Sequence, residues 1–258
     1  MRMNKLVSII MPSHNCGPFV EESIRSVLAQ TYTDWELLFV DDCSTDNTVD
    51  LVSGIAKVDY RIRIFQNDCR CGAAISRNKA LQKAKGRWIA FLDSDDLWEC
   101  DKLEKQIQFM LENNYTFSYT RYQEIDNYSK ETGIFVTGPN HITKWGMYAF
   151  CWPGCLTVMW DAEKIGQVQV ADIEKNNDYA LWLRVIQRAD CYLLDECLAR
   201  YRRRSGSISN HSYLTLVKWH YKLFREAEKM SVIASLIMTV VNIIFGTVKK
   251  LYYVKRKR

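Results

Sequence analysis

The sequence predicts an α/β fold with parallel strands joined by helical crossovers, on three observations. Short apolar runs alternate with segments of helical periodicity through the first half of the chain. Aspartates cluster directly after several of these elements, where a parallel sheet presents its carboxyl edge. A length of 258 residues with 48% hydrophobic and 25% charged side chains can bury one substantial core, so one main domain with a short appendage is expected.

Strands are expected at Val7 to Met11, Trp35 to Val40, Ile62 to Gln66 and Trp88 to Leu92, each followed by a loop and a helix-like segment. That alternation makes the strands parallel, because each return needs a helical crossover. In the second helical segment Ser44 reads as the N-cap with Asp46 in the first turn, and in the third Gly72 precedes a run ending near Gly86. From Tyr119 to Met159 the pattern is less regular, broken at Gly133, Gly138-Pro139, Gly146 and Pro153-Gly154. Asn177 to Arg188 then reads as a helix, Cys191 to Arg203 as one or two strands, and the region after His211 as largely helical. The main domain is therefore expected over 1–210 and a helical C-terminal appendage over 211–258.

The formal charge of +5 is local to the C-terminus: Lys249, Lys250, Lys255, Arg256, Lys257 and Arg258 are basic, and without them 29 basic residues face 30 acidic ones. The body offers no general cationic surface, so no nucleic-acid partner is expected. Nine cysteines without scaffold spacing, and an opening apolar run too short for a signal peptide, fit a reducing cytosol. Cys69-x-Cys71 and Cys151-x3-Cys155 lack the paired spacing of a zinc site.

Three acidic clusters carry the candidate chemistry: Asp41-Asp42, Asp93-Ser94-Asp95-Asp96, and Asp178 opening a later helix. Adjacent carboxylates repel, so the run after Leu92 calls for a cation or a strong hydrogen-bond network. A hard divalent ion, held by one or two carboxylates and by substrate phosphates, is one solution. An acidic turn capping the next helix is the other, and the run alone does not choose between them.

In order and separation, VSIIMPSHN, LFVDDCSTDNT, CGAAISRNKALQKAKGRWIAFLDSDDLW and NNDYALWLR resemble the motif series of family 2 glycosyltransferases, over roughly residues 5 to 210. The segment from YRRRSGSIS through KWHYKLFREAEK is similar to bacterial transferases that build O-antigen, capsule or teichuronic-type polysaccharides. The resemblance implies a GT-A fold, a mixed sheet flanked by helices. It implies an inverting, metal-dependent transfer of a hexose from a UDP-sugar, such as UDP-glucose or UDP-galactose, to an acceptor hydroxyl. The acceptor would be a lipid-diphosphate-linked saccharide, and Tyr119 to Met159 the acceptor-facing half.

By this resemblance Pro12, His14 and Asp42 line the nucleotide pocket, with Asp42 accepting from the uracil N–H and His14 stacking on the base. Arg77 meets the diphosphate, a task suited to a permanently charged planar guanidinium. Asp95 ligates Mn²⁺ or Mg²⁺, Asp93 contacts the ribose or a metal-bound water, and Asp178 is the catalytic base. Two departures stand out: Asn177 replaces the glutamate that many relatives carry before the base, and Arg204 stands where they place a histidine. Arg202, Arg203 and Arg204 are thus candidates to cover the diphosphate, with a solvated strand edge as the simpler account of at least one.

Residues 230–248 carry no charge, and as a helix they would extend roughly 28 Å, just enough to cross a bilayer. Ser235, Thr239, Asn242 and Gly246 form a small or polar stripe along it. Crossing would carry the cationic tail out of the cytosol, so a helix on the inner leaflet is expected, with Tyr252, Tyr253 and the tail meeting anionic lipid. Packing on the soluble domain is the alternative. Among other functions, a nicotinamide-dependent oxidoreductase lacks its G-x-G turn and a P-loop enzyme lacks GxxxxGK[ST]. An Asp-x-Asp phosphatase would carry threonine where Asp96 stands. A catalytically silent nucleotide-sugar or carbohydrate-binding protein on the same fold is the remaining rival.

Overall fold

The computed structural model describes residues 5–204 and 213–256. The chain opens with β1 (Val7–Ser13), α1 (Gly17–Leu28), β2 (Trp35–Asp41), α2 (Thr48–Ala56), β3 (Ile62–Gln66), α3 (Ala73–Lys83) and β4 (Trp88–Phe91). These strands pair in parallel in the order β4-β1-β2-β3, as the alternation of runs and helices requires. After β3 the chain crosses back to the other side of β1, which makes the β1/β4 border the switch point where such sheets bind ligands.

The pleat of β1 separates two cores. Val7, Ile9 and Met11 join Leu37, Phe39 and the inner faces of α1 and α2, while Ile10 joins Leu38, Val40 and residues of α3 on the other face. Pro12 is tolerated in this central strand for a local reason. The Ile10 carbonyl faces β4 and receives the Leu92 N–H, so the side of Pro12 that lacks a donor points the same way, beyond the last β4 residue paired to β1.

The expected start of the second helix is corrected. The helix begins at Thr48, and Ser44 is instead captured by Asp41, whose carboxylate accepts both its N–H and its hydroxyl. Asp46 caps from outside the helix, taking the Thr48 N–H and hydroxyl on one oxygen and the Gly17 N–H on the other. A carboxylate is a stronger acceptor than a hydroxyl, so the two aspartates decide the loop geometry.

The second half adds β5 (Leu97–Trp98), α4 (Lys102–Glu112), β6 (Phe117–Ile125), β7 (Glu131–Val136), β8 (His141–Ile142), α5 (Lys144–Ala149), β9 (Met159–Asp161), α6 (Ala162–Ile165), α7 (Asn177–Val185) and β10 (Cys191–Arg202). β9 runs antiparallel to β4 and β6, so the sheet is mixed. The stretch expected as one or two strands is one, β10, parallel to β6 with register shifts around Cys197. Because β10 also pairs with β5, it delivers its C-terminal arginines onto the acidic loop between β4 and β5.

Helices α8 (Tyr213–Lys222) and α9 (Val232–Tyr252) follow, joined by a π-turn, and β11 (Val254–Arg256) closes the chain as an antiparallel neighbour of β7. The domain boundary expected at residue 210 falls outside the described residues. Part of the basic tail is therefore sheet: Lys255 and Arg256 pair with Phe135 and Ile134, their side chains exposed. By length and composition α9 could cross a membrane, with mean hydropathy 2.0. Its polar stripe nevertheless faces the domain: Ser235, Thr239 and Asn242 are buried, and Asn242 donates to the Tyr148 carbonyl and the Tyr179 hydroxyl. The apolar residues Ile233, Leu236, Ile237, Val240 and Ile244 face outward.

Lys102, in the first turn of α4, is fully buried over the Trp98 ring, and its ammonium has no hydrogen-bond partner among the described residues. Desolvation pushes its pKa down to about 7. The unfolded chain holds this proton up to about pH 10, so the cost of the buried group is fully present below pH 7 and disappears as pH rises towards 10. Lys102→Met keeps the shape without the charge. We expect it to raise stability at pH 6 by on the order of 3 kcal/mol, the gain shrinking towards pH 10. Urea titrations at both pH values measure it, and an equal effect at the two would rule out the charge as its cause.

Candidate active site

The site lies along the carboxyl edge at the β1/β4 border. Asp42 follows β2 and docks its backbone N–H on the Ser13 carbonyl. Its carboxylate accepts from Asn67 Nδ2 and from the N–H groups of Cys71 and Gly72, each at 2.8 Å. Gly72 makes this cradle possible by holding φ at +86°, a conformation that side chains resist. Burial disfavours the charged carboxylate, but these donors outweigh it and hold Asp42 below the usual range. His14 is fixed against the same loop by a 2.8 Å contact from Nδ1 to the Asp42 carbonyl, which assigns the proton to Nδ1.

Arg77, on α3, is buried with both terminal nitrogens engaged. One donates to Asp93 at 2.6 Å and the other to Asn177 at 2.7 Å. Desolvation opposes the charge, yet Asp93 together with the nearby Cys155 and Asp178 outweighs it and keeps the guanidinium protonated. Arg77 thereby ties the acidic loop after β4 to the first residue of α7. Next to it, Asp178 is half-buried and accepts the Tyr179 N–H at 2.8 Å. The N-cap position of α7 belongs to Asn176, in a left-handed conformation, so Asp178 is a first-turn residue and not the cap.

Within the acidic loop the three carboxylates have separate partners. Asp96 is buried and accepts the Arg202 backbone N–H at 2.8 Å; burial first, then its neighbours Asp95 and Asp93, push its pKa well above the usual value. Asp95 pairs with Arg204 at 2.7 Å. Burial raises the Asp95 carboxyl by more than Arg204 lowers it. Asp93 keeps 32% of its side chain exposed and Asp95 keeps 16%.

The three arginines after Tyr201 divide. Arg202 is fully buried and structural, donating to the Asp95 and Asp126 carbonyls, Ser129 and Glu22. Arg203 is half-exposed beside Glu124. Arg204 is the one of the three whose guanidinium pairs with a carboxylate of the acidic loop, and it lies near Phe19 and the Cys16 thiol. Sequence reasoning missed Asn67 and Phe19. Asn67 stands directly after β3, the same edge position that singled out Asp42, so its signal was present; Phe19 had none.

The donor set bears on a divalent ion. Among the described residues, no group of three or more histidine, cysteine or acidic side chains is assembled to hold a metal. Asp95 and Asp93 each commit one named oxygen to a guanidinium, and a carboxylate has capacity for more. Such a set fits an ion held jointly by carboxylate and substrate phosphate.

Comparison with known proteins identifies the family and the fold. A model of the glycosyl transferase family 2 matches residues 8–154. TuaG of Bacillus subtilis, provisionally named a teichuronic acid biosynthesis glycosyltransferase, is 41% identical over 87% of this chain and 89% of its own. WfgD of Escherichia coli, a UDP-Glc:alpha-D-GlcNAc-diphosphoundecaprenol beta-1,3-glucosyltransferase, is 43% identical over 82% of each chain. The crystal structure of Staphylococcus aureus TarS with UDP-GlcNAc superimposes with a TM-score of 0.71 at 18% identity, over 91% of this chain and 70% of that one. The mannosyltransferase PcManGT of Pyrobaculum calidifontis with GDP-Man and Mn²⁺ gives 0.64 at 14% identity, over 95% and 75%. By the family match over more than half its length and by these relatives, the chain belongs to glycosyl transferase family 2.

Proposed function

We propose that this protein transfers a hexose from a UDP-sugar, with inversion at the anomeric carbon, to a hydroxyl of a lipid-diphosphate-linked saccharide at the inner face of a bacterial membrane. The observation that supports this reading is the Arg77 bridge, which ties Asp93 to Asn177, the residue before the base candidate Asp178. The names of TuaG and WfgD support a surface-polysaccharide role and a diphosphoundecaprenol-linked acceptor.

Each residue then has a task. Pro12, one residue before the end of β1, lies below the nucleotide, and His14 presents its ring to the base. Asp42 uses the remaining capacity of its oxygens for the uracil N–H. Arg77 and Arg204 face the diphosphate. Because Asn177 is neutral where relatives carry glutamate, Asp93 is the one anionic hydrogen-bond partner of Arg77 among the described residues, which leaves more of its charge for phosphate. Asp95, with Asp93 beside it, would hold Mn²⁺ or Mg²⁺, which stabilises the departing diphosphate. Asp178 takes the acceptor proton as the acceptor oxygen bonds to the anomeric carbon and the electron pair of the broken bond leaves with UDP.

The membrane contact follows from α9. A spanning orientation would strip Asn242 of its partners on Tyr148 and Tyr179, whereas an in-plane helix keeps them and gives the outward apolar face to the leaflet. Exposed Lys250, Lys255 and Arg256 at its end add attraction to anionic lipid.

The test is a panel of UDP-sugars, UDP-glucose and UDP-galactose included, incubated with diphosphate-linked saccharides in vesicles. The expected result is UDP release that needs both acceptor and divalent ion, with an inverted product linkage by NMR. Donor binding without turnover on any acceptor would identify a silent binding protein instead.

A further inference from the structure

Beside α9 the protein carries an apolar groove that the transfer chemistry does not use. It measures about 500 Å³ and is walled by Ile142, Trp145, Ala149 and Trp152 on one side and by Phe245 and Val248 of α9 on the other. That volume falls within the range of ligand pockets, roughly 300–1,000 Å³. Trp145 stands at the wall with 78% of its surface exposed, and it is part of a contiguous apolar lining, the arrangement that marks an interaction site.

The groove opens in two directions that matter. Outward, Phe245 belongs to α9 and continues into the exposed apolar row of Ile233, Leu236, Ile237, Val240 and Ile244. Inward, Trp152 lines the groove with its ring, while its carbonyl and that of Cys151 accept from Lys249 at 2.8 and 3.4 Å. Burial depresses the Lys249 ammonium, although it keeps these two carbonyl partners. The α5 wall of the groove is tied to the start of α7 by the Tyr179 hydroxyl, which donates to the Met147 carbonyl at 2.8 Å, one residue along the chain from Asp178. The walls of the apolar groove thus meet both a lysine and the helix turn that carries the candidate base.

We propose that this groove binds the isoprenoid chain of the acceptor lipid next to its diphosphate, drawing the chain out of the leaflet so that the attached saccharide reaches Asp178 with the diphosphate near Lys249. The proposal rests on the lipid-linked acceptor reading. Such an acceptor carries an apolar chain, an anion and a sugar hydroxyl, and these match in kind the groove, the lysine at its wall and the candidate base. An occupant of other chemistry would not use all three.

A prenyl diphosphate bearing a benzophenone tests this directly on the full-length protein in vesicles. After irradiation, cross-links are expected in 139–152 and 245–253, competed by unlabelled prenyl diphosphate. Ala149→Phe, which fills the groove, is expected to reduce them at least about 10-fold, as is Trp145→Ala, whose exposed position makes misfolding no explanation. In transfer assays both variants should lose most of the wild-type preference, in kcat/KM, for a polyprenyl-linked over a short-alkyl-linked acceptor. Labelling confined to the outer row of α9 and indifferent to Ala149→Phe overturns the proposal and leaves α9 as an anchor only. Groove labelling in a protein that transfers to no diphosphate-linked sugar would refute the functional reading instead, so the two failures are distinct.

Discussion

Asp178→Asn is expected to lower transfer by about 10²- to 10⁴-fold, the range of a lost general base, while stability and UDP-sugar affinity stay near wild type. The separation follows from what the side chain touches. Asp178 accepts the Tyr179 N–H at 2.8 Å, a bond that the asparagine carbonyl can keep, and it is not the N-cap of α7. The contacts proposed for the donor, at Asp42, Arg77 and Asp95, do not use the Asp178 carboxylate, so donor affinity should not follow the loss of turnover. Rate, melting temperature and UDP-sugar titration on one preparation decide the matter. Near-normal turnover would remove Asp178 from the mechanism, and a fall in melting temperature parallel to the rate would make its role structural.

Asp95→Asn is expected to abolish the gain in UDP affinity that Mn²⁺ provides, a loss of at least about 10- to 100-fold if removing a ligand costs as much as removing its supporting shell. It should also release Arg204, which pairs with the Asp95 carboxylate at 2.7 Å. The freed guanidinium can then turn to phosphate, so metal-free UDP affinity should hold or rise in the mutant. Calorimetric titration with and without Mn²⁺ measures both quantities. Unchanged metal-dependent affinity rejects Asp95 as ligand, and a fall in metal-free affinity rejects the competition between Asp95 and phosphate for Arg204.

The parts of the site that were legible are those fixed by local pattern. Asp42 and the Asp93–Asp96 run announce themselves because each follows an apolar strand directly, and β1 to β4 end within two residues of their expected limits. The pairing of Arg77 with Asn177 was not legible, since it joins residues 100 apart that only the packing of α3 beside α7 brings together. The three consecutive arginines read alike in sequence, yet the pairing of β10 with β5 and β6 buries Arg202, exposes Arg203 and sets Arg204 on Asp95. Ser44 misled for the opposite reason: a good cap by residue type lost its place to Asp41, a nearer and stronger acceptor.

The same division holds at the C-terminus. Sequence alone determined that residues 230–248 would be an uncharged helix with a polar stripe, because backbone hydrogen bonds and the 3.6-residue period are properties of the segment itself. Which face of that helix meets the protein was decided by tertiary structure. Asn242 is buried because the Tyr148 carbonyl and the Tyr179 hydroxyl, from α5 and α7, supply the partners without which burying its amide would be costly. The apolar face is thereby left outward, and the groove beside it exists only where α5, α9 and Trp152 meet. A period in the sequence can specify a face; only the fold supplies what that face touches.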